Sequence, residues 1–446
     1  MSKKRKRRLV ALGLGAALII SLSVYFGPLV HREAYSFESK TVYSLPLGEN
    51  EEASIRRVIV SDLTGDGRND ILISYDVASY DQQEVEGDIT TVLSFKEARM
   101  VILSANTTGD FQKSWEYGSG LTRQTVAVGD FDGDGKLDLV VGGFKTENEE
   151  DRTSIYSRVE VLLQEENGSF DNILSTDIPQ FVLGSLTVGE FIHNGRTSFV
   201  VGGCPSGNSS PYQVYLFRNE GGGNFTMSPI AFSKGIAVED MWEADINSDG
   251  YPDLVIDAHD LDSKTYPIML LLNDGHSGFE WQEPGVLAGV PFIDPLVIQD
   301  FTGDNYPDIM YAKSDANGSE VYLVRNMGGK LAGAEPVGIQ TEGWIVGMVS
   351  AGFNNDNALD VLILESRVEF REERYETNIV GHAILIKKSP EGGLSFTQKW
   401  SYEFLEDGDI SPKYAVAATD VDDDGSTDLI LVSLRGEVRL ALNSPI

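Results

Sequence analysis

The stretch VAVGDFDGDGKLDLVVGGF, Val126 to Phe144, sets four aspartates, Asp130, Asp132, Asp134 and Asp138, between two apolar runs. Carboxylates this close repel one another unless something neutralises them. In the spacing D-x-D-x-D-G-x-x-D, side chains at positions 1, 3 and 5 of a tight loop converge. A backbone carbonyl at position 7 and the carboxylate at position 9 complete an oxygen cage that suits Ca²⁺. Glycine at position 6 permits the chain reversal. The expectation is that such a loop folds only because a divalent ion discharges it.

The stretch recurs. VIVSDLTGDGRNDILISY starts at Val58, LTVGEFIHNGRTSFVVGG at Leu186, MWEADINSDGYPDLVIDA at Met241, LVIQDFTGDNYPDIMYA at Leu296, GMVSAGFNNDNALDVLIL at Gly347 and AVAATDVDDDGSTDLILVSL at Ala415. With the opening copy these make seven, spaced by 52 to 68 residues. The candidate ligand sets differ. The second (Asp130, Asp132, Asp134, Asp138) and seventh (Asp420, Asp422, Asp424, Asp428) are complete. The fourth carries Asp245, Asn247, Asp249 and Asp253. The first (Asp62, Thr64, Asp66, Asp70) and fifth (Asp300, Thr302, Asp304, Asp308) place threonine at position 3. The sixth keeps Asn354, Asp356 and Asp360 but has Gly352 at position 1, so a metal loop and a plain turn both stay open. The third, with Glu190, His193 and Ser198, is expected to bind nothing. An EF-hand is excluded: position 12 is Val141, Ile256 or Leu431, inside strand-like runs, where a bidentate glutamate is needed.

Each acidic loop is flanked by short runs rich in Val, Ile and Leu, as strands buried on both faces require. Further on, an apolar run, a Gly/Asn turn and an aromatic recur, as in VLLQEENGSF, YLFRNEGGGNF and MLLLNDGHSGF, and read as hairpins. Four strands per repeat at this period predict an all-β, seven-bladed β-propeller of four-stranded antiparallel blades. The last copy is one strand short. The segment SFESKTVYSL, Ser36 to Leu45, is expected to pair with the C-terminal strand and close the ring.

These loops and their flanking strands resemble FG-GAP/VCBS repeats, the calcium-loop blades of integrin α-subunit propellers and of many bacterial surface proteins. The resemblance covers nearly the whole chain after the N-terminal segment. It implies a seven-bladed propeller with several structural Ca²⁺ ions on one face, used for adhesion at cell surfaces and for protein or glycan binding. The chain departs from the pattern in its third loop and lacks the further domains of an integrin α-subunit. The tripeptide Leu359–Asp360–Val361 falls within the sixth loop and strand, where structure explains it.

The first residues differ. Residues 1–8 contain the basic cluster Lys3, Lys4, Arg5, Lys6, Arg7 and Arg8, and residues 9–30 carry no charge. That run is long enough to span a bilayer as a helix. The basic side stays cytoplasmic, which leaves residues 31–446 outside. A single-pass signal anchor is expected; the alternative is secretion after signal cleavage. The net charge of −34 argues against a nucleic-acid partner. The single cysteine, Cys204, rules out an intramolecular disulfide.

The acidic loop joins the first two strands of a blade, so the connection between the second and third lies on the opposite face. Three such connections are long, Asp76 to Lys96, Phe144 to Arg158 and Glu365 to Gly381, and they or their edges hold Tyr75, Tyr80, Tyr156, Phe370 and Tyr375. Long insertions on a rigid scaffold carry binding, so a partner is expected there. Three functions stand: a membrane-anchored, calcium-stabilised module that binds a protein or glycan; a polysaccharide lyase or hydrolase; and a structural subunit of a membrane assembly. Catalysis is the less expected class, with no serine nucleophile elbow, no zinc spacing and no histidine with an obvious acid partner, although a carboxylate pair stays open. Five N-x-S/T sequons stand at Asn106, Asn167, Asn208, Asn224 and Asn317.

Overall fold

The computed structural model describes residues 37–85, 88–106, 110–146, 155–206, 213–231, 235–264, 267–276, 278–282, 293–315, 317–353, 359–371, 374–388, 394–405, 416–422 and 424–443. The expected anchor at residues 9–30, Asn208, and Asn354 and Asp356 of the sixth loop lie outside the described residues. Among the described residues no helix is long and apolar enough to cross a membrane.

The strands of the described residues fall into seven four-stranded antiparallel sheets, taken here in chain order as blades 1 to 7. Blade 1 runs over residues 51–117, blade 2 over 122–179, blade 3 over 181–231, blade 4 over 236–282, blade 5 over 293–341 and blade 6 over 344–405. In blade 7, Val416–Thr419, Asp428–Val432 and Glu437–Asn443 are completed by Phe37–Ser44. This first strand pairs antiparallel with the last, from Phe37 opposite Asn443 to Ser44 opposite Glu437, as the segment Ser36 to Leu45 was expected to do. The sheet edge that either strand alone would expose is thereby paired.

Burial follows position in the blade. Second strands such as Ser198–Pro205 and Asp253–Asp260 are buried along six consecutive residues, which explains their unbroken apolar runs. Fourth strands such as Phe111–Tyr117 and Phe170–Pro179 lie at the outer edge and are mostly exposed or half-buried. Positions 12 of the loops, Val141, Ile256 and Leu431, are core residues.

Neighbouring blades bury apolar clusters between them. Leu72 and Met100 of blade 1 pack with Val126 and Leu139 of blade 2. Val140 and Val161 meet Phe199 and Phe217 of blade 3, and Val200 and Leu216 meet Met241 and Leu254 of blade 4. Val255 and Leu270 pack with Ile309 and Tyr311 of blade 5, whose Met310 and Leu323 meet Val361 and Ile363 of blade 6. Leu362 and Leu364 meet Leu429 and Leu431 of blade 7. Finally Ile430, Val432 and Leu440 return to Ile71, Ile73 and Val101 of blade 1, which closes the ring.

The first strand of each blade lines the axis. In blades 1 to 6 this strand is irregular, with register shifts at Ile55/Arg57, Thr122/Thr125, Leu183/Ser185, Val238/Asp240, Ile293/Leu296 and Ile345/Gly347. Such bulges bend and twist a strand and re-aim its side chains. The Arg57 guanidinium of blade 1 lies 3.6 Å from the buried Asp240 carboxylate of blade 4. These blades are not neighbours, so the contact spans the central channel.

Candidate metal loops and the opposite face

The seven acidic loops lie between the first and second strands and therefore share one face of the disc. Their backbone explains the sequence pattern further than the glycine at position 6 alone. Position 6 is left-handed at Gly67, Gly135, Gly195, Gly250 and Gly425, with φ from 70° to 89°, and Asn305 takes its place at φ 70°. Position 4 is left-handed too, at Gly65, Gly133 and Gly303, and at Ser248 (φ 55°) and His193 (φ 40°). The two residues curl successive amides inward, toward the position 1 side chain.

Asp62 accepts the N–H groups of Gly65, Asp66 and Gly67 at 2.7–3.0 Å. Asp130 accepts those of Gly133 and Gly135; Asp245 those of Asp249 and Gly250; Asp300 those of Gly303, Asp304 and Asn305; and Asp420 those of Asp424 and Gly425. The position 9 aspartates open the second strand and are buried at 0–1% exposure. One oxygen of Asp138 accepts the Phe131 N–H and the other the Gln164 N–H, both at 2.8 Å. Asp253, Asp308 and Asp428 repeat this with Ile246 and Asn273, Thr302 and Asn326, and Val421 and Asn443. Burial raises the carboxyls of Asp70, Asp138 and Asp308 and pushes Asp253 and Asp428 up to about 6. A nearby cation would restore the charged form.

Carboxylate oxygens converge in two loops. Those of Asp130, Asp132 and Asp138 lie within 4.8 Å of one another, as do those of Asp420, Asp422 and Asp428. Each cluster can hold a metal ion. An all-oxygen donor set with two carboxylates desolvated or half-desolvated suits a hard dication. In the first loop Asp70 Oδ1 and Thr64 Oγ1 are buried with no hydrogen bond of ordinary geometry, although Thr64 and Ser104 lie near enough to Asp70 to offset part of the rise that burial gives its carboxyl.

The position 5 aspartates behave differently from the expectation that positions 1, 3 and 5 converge. Asp66, Asp134, Asp249, Asp304 and Asp424 each accept the N–H two residues on, at 2.7–3.0 Å, as an Asx turn does. Neither Asp134 nor Asp424 belongs to its loop's carboxylate cluster, and Asp134 pairs with Lys136 instead. In the fourth loop the Asn247 amide donates to Asp249. The third loop keeps the same frame without the acid pattern: Glu190 accepts the Gly195 N–H, and Ser198 Oγ at position 9 accepts the Asn219 N–H. Of the sixth loop Asp360 is described and buried.

A set of functional residues escaped the sequence reading. Two residues after the third strand pairs with the opening of the second, an Asn or Gln side chain donates to the carbonyl of loop position 2 in the preceding blade. Gln164 reaches Leu63, Asn219 Phe131, Asn273 Phe191, Asn326 Ile246 and Asn443 Phe353. The backbone N–H of four of these residues, Asn219 excepted, holds its own blade's position 9 aspartate. Each therefore ties its acidic loop to its neighbour's. The signal is the single amide residue that ends five of the seven apolar runs, as in LLQ, FRN and LLN.

The opposite face is built by the connections between second and third strands. Two of the three expected loops are strands. Asp70–Val85 and Asp88–Ala105 stay paired out to Val85 opposite Asp88. Asp360–Arg371 and Arg374–Lys388 stay paired out to Arg371 opposite Arg374. These hairpins extend the blades beyond the ring. Of the third connection, residues 147–154 lie outside the described residues. Tyr75 is not an interface anchor but a fully buried core residue. Tyr156 is half-buried with the Arg158 guanidinium 5.8 Å from its ring centre. The side chains of Tyr80, Phe370 and Tyr375 lie outside the described ones.

At the axis the bulged first strands enclose a cavity of about 330 Å³ whose lining includes Arg56, Arg123, Thr125, Cys204 and Glu239. Arg56 is held by Asp76. Arg123 sits in the left-handed region at φ 51°. His259 does have an acid neighbour, with Nδ1 3.9 Å from Glu239 Oε1. Burial and Glu239 raise the Cys204 thiol, which disfavours the thiolate form.

The FG-GAP-like repeat family matches residues 62–141 and 300–363. No curated protein matches the chain in sequence. Among solved structures the chain is similar to the rhamnogalacturonan lyase PL11 of Bacillus licheniformis, at 13% identity and a TM-score of 0.51 over 92% of this chain and 76% of that one. It is likewise similar to the exotype rhamnogalacturonan lyase YesX (12%, TM-score 0.50) and to rhamnogalacturonan lyase YesW (12%, TM-score 0.51), with the same coverage. At such identities the likeness is one of fold.

Proposed function

For this chain of FG-GAP-like repeats folded as a β-propeller, we propose a membrane-anchored, extracytoplasmic binding module, stabilised by calcium on one face and engaging a protein or glycan on the other. The observation that carries the reading is the division of labour between the faces. The acidic loops converge their carboxylates at one end of the blades, while the paired hairpins at 76–96 and 365–381 extend from the other. Asp130, Asp132 and Asp138, and Asp420, Asp422 and Asp428, would hold the ions, which would neutralise buried charge and stiffen the loops. The uncharged run at residues 9–30 would tether the propeller and leave the hairpin face free.

The test is capture on the full chain, with and without calcium, against a variant in which each hairpin is cut back to the length of its shorter neighbours. Loss of a bound partner on trimming, with melting unchanged, is the expected result. Undiminished capture by the trimmed variant would move the site elsewhere.

A second reading, a polysaccharide lyase, is favoured by one cluster. Arg56, Arg123 and Glu239 line the axial cavity, with His259 beside Glu239. A cationic side chain that neutralises a sugar carboxylate beside a proton-accepting group is what β-elimination needs. The structurally similar proteins named above are rhamnogalacturonan lyases. Release of unsaturated product from rhamnogalacturonan, read as ultraviolet absorbance and lost in Arg123→Ala, would favour this reading over the first.

A further inference from the structure

Trp344 opens the first strand of blade 6 on the hairpin face, with 62% of its surface exposed. An exposed tryptophan on a folded protein is a departure that asks for a partner. Its ring is not free to swing: Nε1–H donates to the backbone carbonyl of Asp315 in blade 5 at 3.0 Å. Asp315 lies at the rim of a cavity of about 200 Å³, also lined by Lys313, Asn317, Glu320, Gln340 and Thr341.

The groups in that cavity are already oriented. The Glu320 carboxylate accepts the Tyr322 hydroxyl at 2.5 Å and the Gln340 amide at 3.1 Å. Asp315 Oδ1 accepts the Asn317 N–H at 2.6 Å. Among the described residues Lys313 has no ion-pair or hydrogen-bond partner, so its ammonium keeps its three donors. A fixed apolar plate thus stands beside a small pocket of set acceptors and free donors. A pyranose ring has this character in reverse: one face of C–H groups and a rim of hydroxyls that both donate and accept. A protein hot spot would instead surround the tryptophan with apolar contacts.

We infer that Trp344 and the adjoining Lys313–Asp315–Glu320–Gln340 pocket form a subsite for one sugar residue of a glycan, with the indole as stacking platform. The inference rests on the proposed hairpin-face reading and narrows its ligand class to saccharide. Little ordering cost attends binding, because the indole and Glu320 are already held.

The experiment uses the full chain in detergent, made in a host that does not glycosylate, since Asn317 of a sequon lines the pocket. An array of defined neutral and acidic oligosaccharides is probed, and the strongest binder is titrated calorimetrically into wild type, Trp344→Ala, Trp344→Phe and Gln340→Ala. Loss of the stacking ring should weaken binding about tenfold or more, and Trp344→Phe should stay within about threefold of wild type. All variants should melt with wild type, because the side chain is exposed. A blank array overturns the inference, and so does wild-type affinity in Trp344→Ala. In that second case glycan binding by the face stands and only the subsite falls. A blank array with hairpin-dependent capture of a protein likewise leaves the face reading intact.

Discussion

Replacing Asn273 by alanine isolates one of the ties between blades. The Asn273 side chain is 2% exposed and donates to the Phe191 carbonyl at 2.9 Å and the Pro252 carbonyl at 3.0 Å. Its oxygen accepts the Gly275 N–H at 3.0 Å. The backbone bond from Asn273 N–H to Asp253 survives the substitution, so the position 9 carboxylate keeps its support. The Pro252 contact is only partly buried, and water can replace it. The Phe191 carbonyl and the Gly275 N–H are buried, and each unsatisfied group costs about 1–3 kcal/mol. The two together span about 2–6 kcal/mol, and the expected loss is about 3 kcal/mol, toward the lower end, since the loop relaxes in part. For a chain of this size that is roughly 3–6 °C in Tm, extrapolating from smaller domains. Asn273→Asp should be worse, because it loses both donors and sets a second carboxylate beside Asp253. The assay is thermal and urea unfolding at fixed calcium, with hydrogen exchange at residues 191–193 to show that the seam between blades 3 and 4 opens first. A loss below about 0.5 kcal/mol, or an aspartate variant no worse than the alanine, would refute the view that these amides hold the ring.

Calcium should raise Tm in proportion to the logarithm of its concentration, and Asp132→Asn combined with Asp422→Asn should flatten that dependence; the readout is a melting series from chelator to millimolar calcium. In chelator, stability should fall as pH rises. Asp253 and Asp428 titrate near 6 in the fold against about 3.8 unfolded, so each favours the native state below the lower value. Each loses up to about 3 kcal/mol as pH climbs through 6. With calcium the slope over that window should flatten or reverse, and equal slopes in both conditions would count against cation binding at these loops. Deleting residues 37–45 should leave Glu437–Asn443 as an open edge and produce oligomers by size-exclusion chromatography, whereas a monomeric, cooperatively melting product would show that the ring closes without that strand.

Much of the fold was legible because a loop that demands left-handed residues and a capped carboxylate at fixed offsets leaves the same letters each time. The strands around it are buried on both faces and read as plain apolar runs. The closing strand was legible from what the last blade lacked. The hairpin at 76–96 was not, since DQQEVEGDITT carries polar residues where strands usually alternate. Its strands are held by backbone pairing out to Val85 opposite Asp88, and such pairing forms without an apolar alternation to announce it. Tyr75, expected to serve a partner from the edge of the connection at Asp76, instead lies opposite Arg99 inside a strand buried without a break from Ile71 to Ser79. The pairing of His259 with Glu239 needs the register of Val238–Asp240 against Asp257–Ala258, where a bulge shifts the pairing and defeats simple counting.

The third loop decides what the acidic residues are for. If clustered carboxylates folded only under a cation, a loop without them would have no reason to keep the same shape. Yet Glu190 takes the same amide from Gly195, Ser198 takes the same N–H from Asn219, and the Asn219 side chain still clasps Phe131. The frame is therefore made of backbone amides and interblade Asn and Gln side chains. The aspartates load that frame with charge, most heavily in the second and seventh loops, where three carboxylates converge. A cation bound there would act on a frame that the third loop builds without the acid pattern, and would then stabilise particular blades and not be a condition of the propeller. The seam between blades 7 and 1 fits the same logic. Two third strands lack the amide, blade 1 with Ala105 and blade 6 with Ile386, and beside the first of them Phe37–Ser44 closes the ring by backbone pairing.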